Sequence, residues 1–362
     1  MCKRILLTVP YLRDQGGVAS FYNGVLPHFP KKGVILLEIG STRNFGGLLH
    51  PFIDQVRFRH MVKKEQPALI HLNPSLGLKS FIRDGLFAWQ AKQLGYPLLV
   101  FWHGWDKNFE VEVEKKFMWF FCQTFGRADC FIVLSSEFEC KLRAWGITVP
   151  VFLETTNVDD SLLKGFDVQK KWAAPAGLSQ IKILFLARLE RSKGGEETVR
   201  AVKFLVDKKI PISLTIAGDG KIRQELEEYT RSLSLTEQQV QFTGDIRGKD
   251  KIRILTEHHI YCLPSYSEGL PTTVLEAMTF GMPVVTRPVG GLVDLFKDGQ
   301  MGALVKGKSP EEIAACLEKI ISDQGKMVEI GKYNAYYAKK HFMASVVSKR
   351  LVNIYESIQG IC

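Results

Sequence analysis

Short apolar runs alternate with longer amphipathic stretches along most of the chain. Five runs in the first half, "RILLTV", "GVILLEI", "ALIHL", "PLLVFW" and "CFIVLS", are rich in Ile, Leu, Val and Phe. Five follow in the second half: "IKILFLA", "ISLTIAG", "VQFTG", "IYCLP" and "MPVVT". Between them lie stretches with apolar residues at helical spacing, such as "SFIRDGLFAWQAKQLG" and "GEETVRAVKFLVDKK". Continuous apolar runs suit strands buried on both faces, and strand–helix alternation builds parallel sheets covered by helices. The pattern predicts two α/β domains, residues 1–165 and 178–340, facing each other across a cleft. The polar segment from Asp159 to Gln180 is the expected linker, and "MASVVSKRLVNIYESIQ" predicts a closing helix within 341–362.

Composition agrees with this picture and removes several alternatives. The 362 residues suffice for two cores, and 46% hydrophobic with 24% charged content is ordinary for a globular protein. The N-terminal apolar run, Ile5 to Val9, is too short for a signal peptide and reads as a first strand. No run approaches the roughly 18 residues of a membrane span. The seven cysteines include no Cys-x-x-Cys pair, so a disulfide framework or zinc site is not expected and a reduced, cytoplasmic setting is.

Charge is uneven. Residues 1–92 hold 13 Lys/Arg against 5 Asp/Glu, a net +8 of the total +10, which leaves +2 for the rest. Within that part "HPFIDQVRFRHMVKKEQ" mixes Phe52, Ile53, Val56, Phe58 and Met61 with Arg57, Arg59, Lys63 and Lys64. As a helix it is expected to have an apolar and a basic side, and is either an ordinary surface element with a solvated basic side or one that lies on anionic lipid. It has no motif that reads nucleic acid, so a nucleic-acid partner is not expected.

In open α/β sheets ligands bind beyond the carboxyl ends of the strands, and the polar residues of interest fall there. "RLERSKGG" follows "IKILFLA": Arg188 and Lys193 are either a pair of cations for a diphosphate or two solvated surface charges. Gly218, in "GDGKI", and Gly16 with Gly17, in "YLRDQGGVASF", allow close backbone approach to a ligand or serve only as turns. His103, in "VFWHGWD", faces a ligand or is structural. His258 and His259 read as structural. "EVEVE", Glu110 to Glu114, reads as an exposed helix start, and no Asp-x-Asp pair or phosphate-loop lysine motif suggests a metal.

"SEGLPTTVLEAMTFGMPVV" raises the sharpest question. Pro271 suits the first position of a helix whose free N–H groups form an anion cradle. Glu276, a turn and a half inside, either accepts from two vicinal hydroxyls or makes a surface ion pair. Glu268, in the loop before, either meets a sugar beyond the phosphates or caps the helix.

Together "GGVA", "HGWD", "ARLERSKG", "IAGDG", "VQFTGDI", "SEGLPTTVLEAM" and "GMPVVTRPVGG" closely resemble the family-four, group 1, retaining GT-B glycosyltransferases, most strongly over residues 180–305. The resemblance implies two Rossmann-like domains with a donor site mainly in the second. It implies that Arg188 and Lys193 grip the diphosphate with backbone N–H groups at Leu270 to Thr272, on either side of Pro271. Glu276 would hold the ribose, Glu268 the donor sugar, and the loop at Ile246 the base. Gly17 and its neighbour Gly16 would approach the donor from the opposite domain, with His103 at the sugar hydroxyls. The C-terminal helix would cross back to the first domain.

The implied reaction is metal-free transfer, with retention, from a nucleotide-diphosphate sugar (UDP-sugar favoured) to a hydroxyl of a glycan or lipid-linked acceptor. Cell-surface polysaccharide or glycolipid assembly on the inner face of the plasma membrane fits the basic N-terminal third. No cofactor beyond the donor substrate is expected. A silent nucleotide-sugar scaffold and a sugar-nucleotide epimerase are the competing readings. The chain departs from the family pattern at Asp294, three residues after Gly291 where a Glu four residues on is frequent. It departs also in the longer spacing of "HGWD", which puts Asp106 in question, and at Arg287, which replaces a small residue and either tunes the pocket or packs.

Overall fold

The structure, a computed structural model, describes residues 4–13, 16–30, 33–40, 50–173 and 177–358. The chain divides into two compact units, Met1–Asp159 with Ala344–Cys362, and Asp160–Met343.

The strands of the first unit are β1 (Ile5–Pro10), β2 (Val34–Ile39), β3 (Leu69–Leu72), β4 (Ser75–Leu76), β5 (Leu98–Trp102), β6 (Gly104–Trp105), β7 (Cys130–Val133) and β8 (Val151–Leu153). Its helices are α1 (Gly17–Val25), α2 (His50–Glu65), α3 (Leu78–Gln93), α4 (Lys107–Glu112), α5 (Met118–Gln123) and α6 (Ser136–Ala144). Six strands form one sheet in the order β2-β1-β3-β5-β7-β8, every pair parallel, and β4 with β6 forms a small extra ladder. Every residue of β5, β3 and β7 is buried, as continuous apolar runs require.

In the second unit lie β9 (Ile181–Leu186), β10 (Ile212–Ala217), β11 (Val240–Gly244), β12 (Ile260–Leu263), β13 (Val284–Thr286) and β14 (Gly302–Leu304). The helices are α7 (Val168–Lys171), α8 (Gly195–Asp207), α9 (Arg223–Ser232), α10 (Gly248–Glu257), α11 (Thr272–Thr279), α12 (Leu292–Leu295), α13 (Pro310–Ile321) and α14 (Gln324–His341). A last helix, α15 (Ala344–Ser357), returns to the first unit. The second sheet runs β11-β10-β9-β12-β13-β14, again all parallel. That is the doubly wound order in which the strand direction of travel reverses once, here between β9 and β12; in the first sheet it reverses between β1 and β3.

Two expectations change. The segment expected as a linker packs into the second unit: Lys171 Nζ donates to Leu255 O at 3.0 Å and Phe280 O at 2.8 Å, and Trp172 Nε1 donates to Gly281 O at 3.0 Å. Helix α2 does not separate an apolar from a basic side. It buries Asp54, Phe58 and Val62, and leaves Phe52, Ile53 and Val56 exposed among its cations.

Candidate functional site

In the second unit the chain leaves β9 toward β10 and leaves β12 toward β13, which places the two exit loops at the reversal point. Those loops carry the charged residues. Lys193 Nζ donates to Glu268 Oε1 at 2.7 Å, with both side chains mostly buried. The loops are laced through their backbones: Tyr266 N donates to Ser192 O at 2.8 Å, and Gly291 N to Gly269 O at 2.7 Å.

Glycine is required where these strand exits touch. Gly194 has φ +78°, and a Cβ there would stand 2.6 Å from Pro264 O. Gly218, at φ +128°, has the Ala187 carbonyl where a Cβ would be, and its N–H donates to Gly244 O at 2.7 Å. Gly218 is thus a packing point with its own donor already used.

Pro271 is the residue before α11 rather than its first residue: φ −72° and ψ 111° are extended. Lacking an N–H, it adds nothing to the cradle; the open donors of the first turn are those of Thr272 and Thr273, which no i−4 carbonyl can reach. No side chain caps α11. Glu268 is therefore not a cap. It spends one oxygen on Lys193, whose ammonium keeps further N–H donors.

Glu276 lies in α11 with its side chain 7% exposed. Oε1 accepts from Lys251 Nζ of α10 at 2.6 Å, while Oε2 is buried with no partner. Buried carboxylate oxygens are rarely left so, since an unmet acceptor costs on the order of 1–3 kcal/mol. Beside them Tyr261 Oη donates to Leu186 O at 2.8 Å and accepts from Thr273 Oγ1 at 2.7 Å. Burial first, then the neighbouring Glu276 and Glu268, raises its phenol well above the usual range, against the Thr273 hydrogen bond.

Arg188 stands apart from this cluster. Its side chain is 77% exposed and pairs with Glu190 at 3.2 Å. Ile246 sits half-buried in the loop between β11 and α10. Arg287, by contrast, is buried: its Nε donates to Gly307 O at 2.9 Å, Nη1 donates to Pro264 O, and the guanidinium lies 4.1 Å from the Tyr266 ring centroid. It packs and braces the loop that carries Glu268. A separate groove of this unit, lined by Lys182, Thr215, Arg253 and His258 among others, contains none of these residues.

In the first unit Gly16 and Gly17 open α1 after β1, both exposed, with free space where a Cβ would stand. His103 follows β5. Its Nε2 lies 2.9 Å from Asn73 Oδ1, which also accepts from Tyr22 Oη at 2.6 Å; Asn73 Nδ2 donates to Thr8 O at 2.8 Å. The amide is thereby oriented with its oxygen toward His103, so Nε2 carries the proton and Nδ1 is an acceptor. Burial lowers the His103 imidazole to about 3, so it is neutral at physiological pH. Asp106 is a helix cap, accepting from Asn108 N at 2.9 Å and Phe109 N at 3.3 Å. Glu110 and Glu114 both pair with Lys141, at 2.8 and 3.0 Å, and so join α4 and its continuation to α6. His258 is structural, bonded to Thr215 Oγ1 and Ile254 O, both at 2.7 Å. His259 Nδ1 accepts from Lys182 N at 3.0 Å.

Lys251 and Asn73 escape a reading of the sequence. Nothing in "GKDKIRILTE" or "HLNPS" distinguishes either from a solvated surface residue.

Two doubly wound parallel sheets, with cations and half-satisfied carboxylates at a strand-exit crevice, define a nucleotide-binding α/β architecture of the GT-B type. Residues 169–337 match the family model of Glycosyl transferases group 1, and residues 26–151 match that of the Glycosyl transferase 4-like domain. The chain belongs to the group 1 GT-B glycosyltransferase family.

The D-inositol 3-phosphate glycosyltransferase of Corynebacterium urealyticum is 29% identical over 188 residues, 50% of this chain and 44% of that protein. A glycosyltransferase of Methanocaldococcus jannaschii, MJ1607, is 32% identical over 48% of this chain and 44% of its own length, so the chain matches under half of either relative. The Bacillus subtilis glycosyltransferase TuaC, named for teichuronic acid biosynthesis, is 25% identical over 81% of this chain and 71% of its own. Among solved structures, Anabaena Alr3699/HepE in complex with UDP-glucose has a TM-score of 0.73 at 17% identity, covering 98% of this chain and 100% of that one.

Proposed function

We propose that the chain is a retaining glycosyltransferase that moves a sugar from a nucleotide-diphosphate donor, UDP-sugar first among them, to a hydroxyl of a glycan or lipid-linked acceptor. The observation that carries the reading is Glu276. It is a buried carboxylate with one oxygen on Lys251 and the other unpartnered, one turn inside a helix whose first N–H groups are open. A ribose diol supplies the missing donors, and the adjoining diphosphate lies on the helix N-terminus. Lys193 is the cation at hand for the diphosphate, and exposed Arg188 is free to swing onto it. Glu268 meets the donor sugar, Ile246 the base, and His103 offers Nδ1 to a sugar hydroxyl.

The acceptor oxygen attacks the anomeric carbon on the face from which the diphosphate departs. The carbon–oxygen bond to phosphate breaks as the new glycosidic bond forms, and the acceptor proton goes to the leaving phosphate oxygen. The protein's part is charge stabilisation, worth about 3–4 kcal/mol for a well-aimed group. Lys193 and the α11 N–H groups supply it without a metal ion. The UDP-glucose held by HepE supports the choice of base, and the teichuronic acid name of TuaC supports a cell-surface glycan as acceptor; its assembly on the cytoplasmic side is part of the same proposal.

Calorimetric titration of UDP, GDP, ADP and NAD, with EDTA present, into wild type and Glu276→Ala tests the donor site. One diphosphate is expected to bind, and the variant to lose about 1–3 kcal/mol, the scale of a hydrogen bond to a charged group. Binding that is absent, or equal in the variant, overturns the assignment. Binding without sugar transfer leaves a scaffold, and conversion of the donor to its epimer identifies an epimerase.

A further inference from the structure

Helices α2, α3 and α5 of the first unit pack side by side over one continuous core that takes in Phe58, Phe87 and Phe121. Gln55 of α2 donates to Arg83 O of α3 at 2.9 Å and accepts from Gln90 Nε2 at 2.6 Å, while the Phe58 and Phe87 rings meet at 4.7 Å. Phe120 of α5 closes on α3 at Gly85, where a Cβ would meet its ring at 2.5 Å.

The outer surface of the same three helices is not the polar one such a layer ordinarily shows. Phe52 is 70% exposed, Val56 56%, Trp89 43% and Trp119 75%, and Leu86, one turn before Trp89 on α3, is exposed too. Large aromatics left in water at this density mark an interaction face. The free charge that α2 and α3 leave on this side has one sign. The carboxylates of α2 and α3 are withdrawn: Asp54 is buried against Gly40 N and Arg57, Asp84 is buried against Ser80 and Arg83, and Glu65 pairs with Arg4. Arg59, Lys63 and Lys79 remain outward, with no carboxylate of either helix to answer them.

We propose that this three-helix face docks on an anionic lipid bilayer. Tryptophan and phenylalanine favour the headgroup boundary, and lysine and arginine at its level pair with lipid phosphates. A second copy is disfavoured by the same charges, which a twofold contact would set against each other. The proposal is independent of the donor-site reading, because none of its residues belongs to that site.

The full chain is mixed with vesicles of phosphatidylcholine alone or with phosphatidylglycerol, at low and high salt. Sedimentation is read together with quenching of tryptophan by brominated lipid. Binding only to the anionic vesicles, weakened by salt, is expected. Trp89→Phe with Trp119→Phe abolishes most of the quenching while circular dichroism is unchanged. Arg59→Glu with Lys63→Glu weakens binding by about tenfold or more. Binding to neither vesicle, equal binding to both, or quenching that survives the tryptophan replacements overturns the proposal. So does a lipid-free dimer that the Trp119 replacement dissociates, which would assign the face to a second copy.

Discussion

Asn73 holds three groups at once through a single amide: Tyr22 and His103 on its oxygen, and the Thr8 carbonyl on its nitrogen. It fixes which nitrogen of His103 is protonated without raising the imidazole's basicity, because an amide carries no charge. Asn73→Asp changes that. A carboxylate on Nε2–H favours the imidazolium and lifts His103 from about 3 toward its ordinary range. Wild type is expected to show no His103 titration by NMR above about pH 4, and the variant a titration between roughly pH 5 and 8. Sugar transfer by the variant then falls as pH drops through the new pKa, because protonated Nδ1 no longer accepts. A flat NMR titration in the variant would show that Asn73 does not set the state of His103. The acidic and basic residues at strand exits were legible in the sequence because their position relative to an apolar run is local. Asn73 and Lys251 were not, since each acts on a partner brought by another strand or helix. Glu268 as a cap was a fair local reading that a cation from the β9 exit loop overrides.

The ten apolar runs all become strands, and the two main-sheet strands the pattern missed, β8 and β14, are three residues each with no continuous buried run. Such short edge segments carry too little apolar periodicity to stand out. Helix α15 was legible as an amphipathic stretch, but what fastens it was not. Arg350 makes a two-pronged pair with Glu154, just past β8, at 2.6 Å through both Nε and Nη2, and the Glu154 side chain is 2% exposed. Removing the cation strands a buried carboxylate. Arg350→Ala is expected to lower stability by up to about 3 kcal/mol, discounted because the Arg350 side chain is 34% exposed. Glu154→Gln in the same chain returns part of the loss, a non-additivity that urea denaturation of the four variants measures. Additive losses would mean that the pair contributes only through packing.

The first unit is assembled from two stretches of chain separated by the whole of the second, Met1–Asp159 and Ala344–Cys362. Its core is consequently incomplete until α15 arrives, whereas the second unit is a single continuous segment. The contacts α15 makes are specific rather than generic: Tyr355 Oη lies 2.9 Å from Nδ1 of fully buried His71, its ring stacks on Phe29 at 6.0 Å, and Ala344 N donates to Val158 O at 2.9 Å. The other nitrogen of His71 is already buried without a partner, so losing Tyr355 leaves both nitrogens unmet in an apolar setting. A chain ended after Met343 is expected to keep slow hydrogen exchange in β9, β10 and β12. It should lose protection in α1, which packs on α15, and in β3, which carries His71. Uniform loss of protection would show the two units to unfold together. Unchanged protection in β3 would show that the α1-side core does not need the helix. Partial loss confined to the first unit is the outcome that its divided chain predicts, because only there does the last helix fill a place that no nearer segment can take.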